Sequence, residues 1–135
     1  KEITDYIPEG LKFEQEDNKM WTIEGTNKVT TRALEDTLLK PGESASVEIV
    51  LTWINSETNM GLKTNIAEIS EDYNESDTPD IDSTPDNQVP GEDDIDDAPV
   101  LLSIETGQAR IYYALTGIIL ITIAGGIILI KKYVL

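Results

Sequence analysis

The sequence predicts an all-β fold, an antiparallel sandwich, followed by a single C-terminal transmembrane α-helix. Three observations predict it. Short runs alternating apolar and polar residues fill positions 1–70, turn residues break those runs at close intervals, and the twenty residues from Ile111 to Ile130 carry no charge. Alternation with period two marks a strand with one buried face. Frequent turns between short strands favour an antiparallel sandwich.

The elements follow in chain order. "MWTIEG" sets Trp21 and Ile23 on one face before Gly25 breaks the run, and "KVTTRAL" is rich in β-branched residues that suit a pleated surface. "ASVEIVLTWI" alternates most cleanly: Val47, Ile49, Leu51 and Trp53 share one face, while Ser46, Glu48, Val50 and Thr52 share the other. "LKTNIAEIS" is a further strand with two possible inward faces, Asn65, Ala67 and Ile69 or Leu62, Thr64 and Ile66. "PVLLSIE" is a final strand over 99–106, with Val100, Leu102 and Ile104 aligned. Turns fall at "IPEGL", "EGTN", "KPGES" and "NMGL". In "KPGES", Pro41 pre-sets φ at the second turn position and Gly42 supplies positive φ at the third, the requirement of a type II turn. The chain shows about five or six strands, short of the roughly seven of a full sandwich. One or two strands are therefore expected upstream of Lys1, or the sandwich is incomplete at its N-terminus. With no initiator Met and no basic-then-apolar leader, the chain reads as the C-terminal piece of a longer protein whose export signal lies upstream.

Charge narrows the function. The net charge is −16, and residues 1–109 hold all 26 acids against seven bases, so that part alone is −19. Such a surface excludes nucleic-acid phosphates and anionic lipid headgroups as partners. It permits cations and basic partners. The chain has no Cys and no His, which removes disulfides, thiolate zinc sites and imidazole chemistry. Twelve acids lie between Glu71 and Ala98 with no base among them and with Pro79, Pro85 and Pro90 interspersed. The 71–98 stretch therefore reads as a self-repelling acidic loop within the sandwich domain. A long loop between strands of one domain is usually functional. Asp77, Asp80, Asp82, Thr84, Asp86 and Asn87 offer the hard oxygens that calcium takes six to eight of, and a dication would cancel part of the repulsion. The EF-hand spacing is not met, since Gly91 stands where the closing Glu belongs. A solvated acidic spacer is the alternative.

As a helix, Ile111–Ile130 spans about 30 Å, the thickness of a bilayer's hydrocarbon core. The segment is apolar on every face, so it does not read as a core helix. Residues 107–110 form a juxtamembrane linker, and 131–135 a basic tail. Lys131 and Lys132 place that tail in the cytoplasm and residues 1–109 outside, with Tyr112 and Tyr113 at the interface.

Taken in order, "ITDYIPEGLKF", a Trp, "LKPGESASVEIVLTW", "KTNIAEI" and "DIDSTPDN" followed by "GEDD" resemble the repeat of Gram-positive surface proteins known as domain of unknown function 11. That repeat is related to isopeptide-forming fimbrial domains, and the likeness covers residues 2–104. It implies an Ig-like sandwich repeated in tandem as a cell-surface stalk, and it lends weight to the aspartate loop as a cation site. In the isopeptide-forming relatives a Lys bonds an Asn with help from an acid in an apolar setting. The resemblance makes Asn65 the candidate acceptor, with its Lys expected upstream of Lys1 and a plain hydrogen-bonded strand residue as the alternative. The tail resembles a sortase sorting signal, Leu-Pro-x-Thr-Gly followed by an apolar span and bases. Here Ser103 and Ile104 replace the Leu and Pro. That likeness makes Thr106-Gly107 the candidate cleavage point, with Thr106 joined to peptidoglycan; a retained helix is the alternative.

The expectation is a non-enzymatic, membrane-proximal module of a bacterial surface protein of stalk or adhesin type. Any extracellular protein or glycan ligand would be met through upstream domains. A surface enzyme whose catalytic domain lies upstream is the alternative.

Overall fold

A computed structural model describes residues 1–72 and 81–103, together with four short segments, 114–117, 120–123, 126–129 and 133–134. It is all-β and antiparallel. The strands are β1 (Glu2–Tyr6), β2 (Leu11–Phe13), β3 (Thr22–Ile23), β4 (Lys28–Thr31), β5 (Ile49–Trp53), β6 (Gly61–Glu71) and β7 (Ile95–Leu102), then β8 (Ala114–Gly117), β9 (Leu120–Ile123), β10 (Gly126–Leu129) and β11 (Tyr133–Val134). A five-stranded sheet runs β3-β4-β1-β6-β7, a second runs β11-β8-β5-β2, and β9 pairs with β10.

Both larger sheets feed one core. Ile3, Val29, Ala67, Ile69 and Leu102 come from the first, Leu11, Ile49 and Leu51 from the second, and Ile7, Trp21 and Val47 from flanking segments. Alternation in β5 dictates its buried face as the sequence predicts: Val47, Ile49 and Leu51 are buried, Trp53 is half-buried and Thr52 is exposed. The turn chemistry also matches. Gly42 has φ 85° and the Glu43 N–H donates to the Lys40 carbonyl at 2.9 Å, as a type II turn requires.

Trp21 is 2 % exposed, and its indole N–H donates to the Glu48 carbonyl at 2.7 Å. Ile23, expected beside it, is exposed instead: β3 is a two-residue edge strand that reaches past the core. In β6 the inward face is Asn65, Ala67 and Ile69, yet Glu68 on the opposite face is fully buried too. The strand lies between β1 and β7, and residues 84–94 cover its outer face. The last strand of this sheet begins at Ile95 rather than at 99, because Ile95–Leu102 pairs with Gly61–Glu68 along its whole length.

The largest departure is C-terminal. Where a helix is expected over 111–130, the structure has strands β8, β9 and β10, and no helix among the described residues is long and apolar enough to cross a membrane. The physical reason is composition and an available edge. Ile121, Thr122, Ile123, Ile127 and Ile128 are β-branched and favour strands. An apolar run cannot be assigned to strand or buried helix by periodicity alone. β8 adds to the open edge of β5, pairing Ile49 with Gly117 and Leu51 with Leu115.

Candidate functional site

Two polar clusters lie on opposite faces of the five-stranded sheet. Strand alternation separates them. Asp5 stands across from Val29 and Ala67 on the core face, and Thr4 stands across from Thr30 and Glu68 on the outer face.

The core-face cluster is Asp5 with Asn65. Asp5 is fully buried, and the Asn65 Nδ2 donates to its Oδ2 at 2.6 Å. Asp5 Oδ1 and Asn65 Oδ1 have no partner among the described residues. Burial pushes the Asp5 carboxyl up to about 7, only partly offset by the hydrogen bond from Asn65. The candidate acceptor Asn65 thus faces an acid in an apolar setting. Sequence reasoning did not single out Asp5, although the signal was there: in "ITDYI" the period of two puts Asp5 on the face of Ile3 and Ile7.

The outer-face cluster joins the acidic loop to β6. The Glu68 Oε1 accepts the backbone N–H of Asn87 at 2.6 Å and of Gln88 at 3.1 Å, and its Oε2 accepts the Tyr6 hydroxyl at 3.0 Å. Asp86 and Gln88 carry positive φ, 60° and 55°. Left-handed residues beside their neighbours aim successive N–H groups at one point and form a nest for an anion. The loop therefore grips the Glu68 carboxylate with its own backbone. Glu92 Oε2 accepts the Thr84 N–H at 3.1 Å and the Asn87 Nδ2 at 2.9 Å, which closes the loop on itself.

The expected calcium ligands do not all meet here. Asp77 and Asp80 lie outside the described residues, as do Thr106 and Gly107. Asp82 and Thr84 are exposed. Asp86 Oδ1 accepts the Lys28 Nζ at 3.0 Å and the Tyr6 hydroxyl at 3.3 Å, and the Asn87 Oδ1 accepts the Val89 N–H at 2.8 Å. Those two side chains fasten the loop. Asp94 is buried against β6: its backbone carbonyl accepts the Ile69 N–H at 2.8 Å, and it is 4 % exposed. Nothing in the sequence separates Asp94 from its acidic neighbours. Among the described residues, no three His, Cys, Asp or Glu side chains converge closely enough to hold a metal ion.

Comparison with protein-family models, with curated proteins and with solved structures gives no match.

Proposed function

We propose that this chain is the membrane-proximal module of a bacterial surface protein of stalk or adhesin type, an Ig-like β-sandwich held at the cell surface by its C-terminus. The observation that carries this reading is a join in the sequence: an all-β region of charge −19 meets twenty uncharged residues ended by Lys131 and Lys132. Two antiparallel sheets sharing one core support the sandwich. In a bilayer the 111–130 segment becomes a spanning helix. Lipid offers no partner to the backbone groups of open strands, and a single segment satisfies all of them only as a helix. The strand form, with β8 on the edge of β5, belongs to the protein outside lipid. Cell fractionation tests the attachment. Release by detergent supports the retained helix, and release only by a wall-digesting enzyme, with a mass ending at Thr106, supports sortase transfer. Recovery in the soluble fraction without either treatment rejects surface anchoring.

The Asp5–Asn65 pair favours a second role for the same module, as half of an isopeptide cross-link. A lysine amine from another segment attacks the Asn65 side-chain carbonyl carbon, the new C–N bond forms, and ammonia leaves. The neutral Asp5 carboxyl moves protons between the incoming amine and the leaving ammonia. Intact-mass measurement of the protein isolated from its cells must show the loss of one ammonia. An unmodified mass removes this role and leaves the anchoring proposal standing.

A further inference from the structure

Exposed apolar side chains gather at one end of the sandwich. Leu62 on β6 and Leu101 on β7 stand opposite each other in register and are 66 % and 69 % exposed. Met60 and Ile54, also exposed, lie in the loop that enters β6. That loop is held in place, because the Ile54 N–H donates to the Gly10 carbonyl at 3.0 Å and the Asn59 Nδ2 to the same carbonyl at 2.7 Å. Antiparallel order fixes which end this is. β6 starts here at Gly61 and β7 finishes here at Leu102, while the acidic loop joins their other ends. The loop grips β6 at Glu68, six positions beyond Leu62, or roughly 20 Å along the strand. Apolar residues scattered singly on a surface need no explanation, but a cluster beside the chain's exit from the sheet does.

We propose that this end of the sandwich rests on the bilayer, with Leu62 and Leu101 inserted into the interfacial zone beside the point where the chain enters the membrane. The inference rests on the anchoring reading above. Ile111 follows Leu102 by nine positions, a contour of at most about 30 Å, so the tether keeps the two leucines within reach of lipid. Apolar side chains at that level are stabilised by leaving water for the boundary between headgroups and acyl chains. The chain's own apolar segment does not cover them: β9 lies against β6 and β7, yet both leucines stay exposed. The loops at this end carry Glu9 and Glu57, so the contact is apolar insertion into a zwitterionic interface and not charge pairing with anionic headgroups. The acidic loop, at the opposite end of β6 and β7, is kept farther from the headgroups than the Debye length of about 8 Å. The module therefore stands with its apolar end down and its acidic end away from the membrane.

The test uses the full chain reconstituted in phosphatidylcholine vesicles. The chain has no cysteine, so a fluorophore can be placed at one position at a time. Glu57→Cys labels the loop at the apolar end, and Asp36→Cys labels the segment after β4 at the opposite end; both positions are exposed. A nitroxide on the lipid headgroup is expected to quench the Glu57→Cys label at least about threefold more than the Asp36→Cys label. Adding Leu62→Ser and Leu101→Ser to the labelled chain should bring the two to within about 1.5-fold, because the tether remains and only the apolar contact is lost. Both leucines are exposed, and near-UV circular dichroism verifies that the doubly substituted chain keeps its fold. Equal quenching at the two positions, or a difference that survives the double substitution, overturns the proposal and leaves the anchoring reading standing. A chain that does not float with the vesicles overturns both. Equal quenching together with Glu57→Cys disulfide dimers that the double substitution abolishes assigns the apolar end to a second copy and likewise overturns the membrane contact.

Discussion

Burial of a single acid sets a pH dependence at the residue scale. The Asp5 carboxyl is held at about 7 in the fold, above its ordinary range. The folded state therefore keeps a proton that the unfolded state has released, and this group's contribution falls as pH rises from about 4 to about 7. Replacing it removes the slope. Asp5→Asn is expected to match the wild type near pH 4 and to exceed it above pH 7, by on the order of 4 kcal/mol at most. Denaturant unfolding across that pH range checks the sign. A second residue-scale constraint is Gly10, at φ 92°, where an added Cβ would sit 1.9 Å from the Asn59 Oδ1. Asn59 donates through Nδ2 to the Gly10 and Ile54 carbonyls, at 2.7 Å each, so it cannot simply move aside. Gly10→Ala should cost about 3 kcal/mol, against about 1 kcal/mol for Gly42→Ala, which has a similar φ and open space. Unfolding midpoints of the two variants measure the difference.

At the element scale, the acidic loop is ordered by one buried side chain. Glu68→Gln keeps the shape and replaces one acceptor oxygen with a donor that opposes the loop's N–H groups. The expected loss is roughly 2–3 kcal/mol, concentrated in the loop. Hydrogen exchange should show the Asn87 and Gln88 amides opening at least about tenfold faster while those of β5 are unchanged. On the proposed reading the C-terminal segment is a second element with two forms. Its β-branched residues suit strands in water, and a bilayer demands a helix of the same residues. Transferring the chain from aqueous buffer into phospholipid vesicles should raise helical circular dichroism by about the equivalent of twenty residues. A spectrum that stays β-like in vesicles would remove the spanning helix from the account.

For the whole molecule, charge and topology work together. The lysines lie after the apolar run, and on the proposed surface-anchored reading they would hold its end in the cytoplasm. A protease-cleavable tag placed after Leu135 should stay protected on intact cells while residues 1–109 are cut. The reverse pattern would invert the orientation.

Much of this was legible from residue order. Local alternation determined the β5 face, the type II turn at Pro41-Gly42, the all-β class and the uncharged run, because each depends on neighbours two to four positions apart. Only the tertiary structure decided that Asp5 meets Asn65, that Glu68 is buried on a face that alternation marks as outer, and that Asp94 stands apart from its acidic neighbours. Those facts depend on which strands pair and on a loop that folds back across a sheet, and residues about sixty positions apart carry no local trace of their contact.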